Sequence, residues 1–175
     1  MNLRCVPAQW LRWAFLLLLL PANATERPSR LGVPALALGI VEFTRWPEAQ
    51  RPVLLCLTLG GPQGKELAAA LPAHPLGQRL SLRELPANGE LPLACDAMLF
   101  EAWNDEAQAA TLRRQANRPL LTLGLGPQFC SQGGAVCFGV EAQQAPFEVN
   151  TDALARSGLR VSPRVLLLTR GRKAP

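Results

Sequence analysis

Pro52-Val53-Leu54-Leu55-Cys56-Leu57-Thr58-Leu59-Gly60 is a dense apolar run closed off by proline on one side and glycine on the other. A run this short and this uniformly apolar predicts a strand buried on both faces, as inside a parallel sheet. Cys95-Asp96-Ala97-Met98-Leu99-Phe100 and residues 119–125 predict two more such strands. Residues 80–85 (LSLREL) alternate apolar with polar, the pattern of a half-buried strand. Helical patterns lie between them. Residues 31–44 place Leu36, Ile40 and Phe43 on one face, with Pro34 tolerated in the first turn. That helix must end before Pro47, because the residue ahead of a proline is pushed out of the α region. Residues 64–71 and 105–117 are the other two helices. Strand, helix and strand in alternation imply an α/β fold, layered and Rossmann-like, with a mixed, mostly parallel sheet flanked by helices.

The last third is organised differently. Cys130 and Cys137 bracket Gly133-Gly134, so residues 129–140 read as a β-hairpin with a disulfide across it. Residues 147–150 form a short extended piece, and Asn150 or Thr151 caps a helix running through Ala155. Gly158 ends that helix. Ser162 caps a final helix with Pro163 at its first position, and residues 165–168 pack it on the core.

The N-terminus sets the compartment. Arg4 and Arg12 precede the short apolar stretch 13–20 (WAFLLLLL), Pro21 breaks it, and Ala22-Asn23-Ala24 fits a small-x-small cleavage pattern. Residues 1–24 are therefore expected to be a cleaved signal peptide, and residues 25–175 a single domain. The stretch is well short of the roughly 20 apolar residues a membrane span needs. No later segment of the sequence is long and apolar enough either, so the mature chain is not expected to span a membrane. No cysteine follows the apolar stretch closely enough to accept a lipid. The expected location is the periplasm. Cys5 leaves with the signal, and the remaining Cys56, Cys95, Cys130 and Cys137 form an even set suited to disulfides in an oxidising compartment.

Composition narrows the function. Cleavage removes two arginines and no acid, which lowers the formal charge from +5 to +3. The bases are scattered apart from Arg170, Arg172 and Lys173 in the tail, which read as a solvated end. With no basic stripe interleaved with aromatics, nucleic acid is not an expected partner. An enzyme is not expected. The one histidine, His74, sits between prolines in a loop, and no nucleophile is marked near it. A dithiol oxidoreductase would want Cys-x-x-Cys, which is absent. The cysteine separations of 39 and 7 residues lack the paired close knuckles of a zinc site, so no metal is expected. Gly60-Gly61 and Gly124-x-Gly126 fall short of the dinucleotide fingerprint, and no cofactor is expected.

Several pieces, taken in order, carry a resemblance. They are Val41-Glu42-Phe43-Thr44-Arg45-Trp46-Pro47, the strand with Cys56, Cys95 opening a strand, and Cys130-x6-Cys137-Phe138. Phe147-Glu148-Val149-Asn150 with Ala153, Gly158-Leu159-Arg160-Val161-Ser162 and Leu166-Leu167-Leu168-Thr169-Arg170 complete the set. Over residues 31–170 the chain resembles the YfiR family of periplasmic proteins; it departs from it in the Trp-Pro segment and at Leu168-Thr169. The resemblance implies a repressor that binds the periplasmic sensor domain of a membrane-bound diguanylate cyclase. Repression keeps cyclic-di-GMP and biofilm formation low, and envelope or redox stress releases it. It also implies the pairings Cys56–Cys95 and Cys130–Cys137, stabilising by roughly 4 and 2.5 kcal/mol in the loop-entropy model. The short-loop bridge is the candidate for sensing.

The resemblance further implies a partner-binding set, Phe147, Glu148 and Leu154, in which an aromatic and an aliphatic anchor flank a charge. Arg45 and Arg160 are candidates for holding an anion or small ligand. The alternative function is a periplasmic small-molecule-binding protein with no cyclase partner. A second copy of the chain is a further candidate partner that no residue pattern here encodes.

Overall fold

Residues 31–47, 51–140 and 147–169 are described in this computed structural model. The expected signal peptide and the tail Arg170, Arg172 and Lys173 lie outside them. The central sheet has six strands in the order β3-β2-β4-β5-β6-β7. They are β2 (Val53–Leu57), β3 (Leu80–Glu84), β4 (Ala97–Phe100), β5 (Leu121–Leu125), β6 (Val136–Phe138) and β7 (Phe147–Val149). All neighbours pair parallel except β6 and β7. The sheet is thus mixed and mostly parallel, as expected. A two-stranded antiparallel ribbon, β1 (Thr44–Arg45) with β8 (Arg160–Val161), stands beside it.

The strands separate two cores by alternation. Leu55, Leu57, Ala97, Leu99, Leu121 and Leu123 face one cluster, which includes residues of α1 (Val33–Glu42) and α2 (Pro62–Ala70). Cys56, Met98 and Phe100 face the other, with Leu112 from α3 (Asp105–Gln115) and Phe129 from α4 (Pro127–Ser131). Helices therefore cover both faces, which is why β2 and β4 read as continuous apolar runs. Helix α1 is buried from Leu36 to Val41, more deeply than one amphipathic face would give. It packs against α2 and against the C-terminal 3-10 helix Pro163–Thr169.

Three expectations are corrected. The first helix was expected to reach residue 44, but it stops at Glu42 and Thr44 enters β1. The Thr44 hydroxyl donates to the Ile40 carbonyl at 2.7 Å, and the Phe43 carbonyl accepts from Ser162 N–H at 2.8 Å, so the ribbon captures the chain. The final helix is a 3-10 helix. Its period of three buries Val165 and seats Leu168 on Gly39, while Leu166 and Leu167 are exposed. The third concerns residues 129–140, which are no hairpin. Gly126, at φ 75°, turns the chain out of β5 into α4, and Gly133, at φ 105°, turns it back into β6, parallel to β5. The Phe129 ring lies so close to Gly124 and Gly134 that a Cβ at either would fall 2.3 or 2.1 Å from it. This aromatic wedge holds α4 where a hairpin strand was expected.

Helix α5 (Thr151–Ser157) begins as expected: Asn150 Oδ1 accepts the Ala153 N–H at 3.0 Å, and Gly158 follows the helix in the left-handed conformation. Cys56 is joined to Cys95, and Cys130 to Cys137. The first bridge ties β2 to the segment entering β4; the second ties the end of α4 to β6.

Candidate functional site

In an open α/β sheet the usual ligand crevice lies at the carboxyl ends of the strands where the strand order reverses. Here that point is between β2 and β4. The loop after β2, Gly60-Gly61-Pro62-Gln63-Gly64, opens helix α2, whose first N–H groups would suit an anion. The chain fills the place itself. Glu101, directly after β4, is buried, and its carboxylate accepts Gln63 N–H at 3.1 Å and Gly64 N–H at 2.8 Å. Its carbonyl accepts the Thr58 hydroxyl at 2.5 Å. A Cβ on Gly61 would lie 2.1 Å from the Glu101 carboxyl carbon. Ala102 follows at φ 59°, a left-handed conformation that non-glycine residues seldom adopt. The crevice that would hold a nucleotide phosphate in this fold class is occupied by an internal carboxylate.

Open space lies at the opposite end of the sheet. A cleft of about 660 Å³ is bounded by the end of α1, β1 and the amino ends of β2, β3 and β4. Asp96 organises one wall. Its carboxylate takes both Arg51 guanidinium nitrogens at 2.6 Å and Leu54 N–H at 2.7 Å, and its carbonyl accepts Trp46 Nε1 at 3.2 Å. Arg51 is 49% exposed, so the pair adds definition to the wall more than stability. Val41, Val53 and Leu80 supply apolar surface. Arg45 and Arg79 also line the cleft, and among the described residues their guanidinium groups meet no acidic partner.

The structure brings Arg45 and Arg160 together. They are directly opposed in the β1–β8 ribbon, and both are exposed. Like charges facing each other across strands repel, so an anion between them would relieve the pair. Arg45 also faces the cleft, whereas Arg160 is not among its lining residues.

The set Phe147, Glu148 and Leu154 is split by burial. Phe147 is 6% exposed and Leu154 9%; both belong to the core. Glu148 is exposed, directly opposite Cys137 in the β6–β7 pair. Of the three, Glu148 alone offers its side chain to a partner of the folded chain. Alternation along an edge strand gives this split: with Phe147 inward, Glu148 points out. His74 is half-buried, and its Nδ1 accepts Leu76 N–H at 3.2 Å, capping the 3-10 helix Pro75–Gln78. Among the described residues no three His, Cys, Asp or Glu side chains cluster as a metal site would require. Asp96, Arg51, Arg79 and Glu101 were not singled out in the sequence, and Trp46 entered only as part of the Trp-Pro segment. The signal available for two of them was an acid abutting a buried apolar strand, as in Cys95-Asp96-Ala97 and Phe100-Glu101.

Comparison with known families decides the assignment. A family model described as YfiR/HmsC-like matches residues 33–170, the span that contains every element above. The chain belongs to the YfiR/HmsC-like family. At the level of this family it is a periplasmic regulator of cyclic-di-GMP signalling, a regulatory protein rather than an enzyme. Two disulfides in a YfiR/HmsC-like domain fit the periplasm, where thiols are oxidised. No helix among the described residues is long and apolar enough to cross a membrane.

Proposed function

We propose that this protein represses an inner-membrane diguanylate cyclase by binding its periplasmic sensor domain, lowering cyclic-di-GMP and biofilm formation. Membership of the YfiR/HmsC-like family over residues 33–170 carries this reading. Residues 1–24 act as a cleaved signal and residues 25–175 as the regulatory domain. The cyclase-facing surface includes β7 and the start of α5, with Glu148 as the charged contact and Phe147 and Leu154 supporting it from beneath. The self-filled crevice at Glu101 supports a protein partner over a nucleotide. Cellular cyclic-di-GMP, measured in a deletion strain and in the same strain complemented with the wild-type gene, tests the reading. A rise on deletion that complementation reverses is expected; no change while the protein is present in the periplasm would refute it.

A second reading, a small-molecule binder without a cyclase partner, is favoured by the cleft and by Arg45 and Arg79 on its wall, which meet no acidic partner among the described residues. An anionic ligand of modest size suits Arg45, Arg79 and Arg160. Under this reading an aromatic carboxylate raises the melting temperature, Arg45→Ala abolishes the rise, and deletion leaves cyclic-di-GMP unchanged.

A further inference from the structure

Four backbone and side-chain groups of Asn150 are all engaged, and they join two parts of the fold. Its N–H donates to the Ala135 carbonyl at 2.8 Å, and its Nδ2 donates to the Cys130 carbonyl at 3.1 Å. Its Oδ1 accepts Ala153 N–H at 3.0 Å, and its carbonyl accepts Leu154 N–H at 3.1 Å. The amide orientation is forced, because a carbonyl needs the NH₂ end and an N–H needs the oxygen end. The first two bonds reach residues within the loop that the Cys130–Cys137 bridge closes. The other two hold the first turn of α5. Two residues upstream, Glu148 pairs with Cys137 itself. The two bridges also differ in access. Cys56, Cys95 and Cys137 are buried and Cys130 is half-buried, so a dissolved dithiol reaches the second bridge first, through Cys130.

We infer that Asn150 is a positioning residue that transmits the state of the Cys130–Cys137 bridge to α5 and to the surface carrying Glu148. The regulatory meaning of this link rests on the repressor reading above; the link itself does not. In the step concerned, a dithiol thiolate attacks one sulfur of the bridge and forms a mixed disulfide, which the second thiol of the reagent resolves. The bridge takes up two electrons and two protons to become two thiols, and the dithiol leaves as its own disulfide. The opened loop no longer holds the Cys130 carbonyl against Nδ2. Asn150 then loses one of its two anchors in the loop, and the cap of α5 loosens together with the strand that presents Glu148.

Asn150→Asp separates this role from ordinary helix capping. The carboxylate keeps an acceptor for Ala153 N–H but has no donor for the Cys130 carbonyl. Amide hydrogen exchange of the mature chain is measured for wild type and N150D, each with and without dithiothreitol. N150D is expected to speed exchange at Ala153 and Leu154 roughly fivefold, the loss of one hydrogen bond. Dithiothreitol is expected to do about the same in wild type and to add nothing in N150D. Exchange at Leu55 and Met98 in the central strands reports whether the whole fold persists. C130S/C137S provides a second route to the open loop, and if that variant does not fold, the dithiothreitol arm alone decides. Wild-type exchange at Ala153 and Leu154 in N150D would reduce Asn150 to a cap and overturn the proposal. So would effects of reduction and N150D that multiply rather than overlap. No partner enters this measurement. Intact coupling without any effect on cyclic-di-GMP would sink the repressor reading alone, and repression without coupling would sink this inference alone.

Discussion

Two glycines and one glutamate set close steric constraints at the scale of single residues. Gly124 and Gly134 leave room for the Phe129 ring, and a methyl at either, its carbon fixed by the backbone, would fall on that ring. Gly134→Ala is expected to lower stability by about 1–3 kcal/mol through overpacking, read as a shift of the urea midpoint at unchanged slope. An unchanged midpoint would mean that the ring moves aside freely. Glu101 is the other case. Glu101→Ala leaves two N–H groups at the start of α2 without their acceptor, at about 1–3 kcal/mol for each buried group left unsatisfied. Added acetate should restore part of the lost melting temperature in that variant and none in wild type. A variant that acetate does not help would show that the cradle collapses when emptied. Neither constraint was legible as such. Gly133-Gly134 reads as a turn in any sequence, and nothing local says that a distant aromatic ring needs the space. A glutamate beside a buried strand reads as surface until its partners, some 37 positions away, are known.

Among the elements, the strands of the parallel sheet were the most legible, because burial on both faces leaves a continuous apolar run. All six strands and helices expected between residues 52 and 125 formed, with ends shifted by a few positions. Errors gathered where tertiary contacts outweighed local preference. The ribbon drew Thr44 out of its helix, and the Phe129 wedge made a helix from half of an expected hairpin. Caps were read well when a side chain supplied the acceptor, as Asn150 does. The same logic applies to Asn104, whose Oδ1 accepts Ala107 N–H at 2.8 Å ahead of Asp105 and Glu106 in the first turn of α3. Asn104→Ala is expected to cost about 1 kcal/mol, visible in thermal unfolding. For the ribbon, Arg160→Glu replaces a like-charge pair with an opposite one. It should raise the melting temperature slightly in low salt and abolish any stabilisation by anions. A variant that still responds to anions would place their site in the cleft instead.

For the whole molecule, the Cys56–Cys95 bridge closes a loop of 39 residues that includes α2 and β3. Its removal in C56S/C95S is expected to lower stability by up to about 4 kcal/mol, or roughly 10 °C in melting temperature. A melting temperature within a degree of wild type would show that the surrounding core already fixes the loop. The class of fold, the two bridges and the family were within reach of the sequence, because each leaves a pattern along the chain. The cleft was not, since its walls come from α1, β1 and the start of three strands and meet only after folding. Which members of the set implied by the resemblance reach the surface was not legible: Phe147 and Leu154 lie in the core, and Glu148 alone is exposed.

The β1–β8 ribbon joins Thr44 to Val161, and α1 is closed on one side by Leu168. A ribosome makes the apolar α1 well before the segment that covers it. While the rest of the chain emerges, Leu36, Leu38 and Ile40 have α2 to lean on but lack their final lid. Until that lid is made, the nascent chain carries an adhesive helix incompletely shielded, the kind of surface a holding chaperone binds. Chains stopped short of residue 160 should bind such chaperones durably, while full-length chains let go.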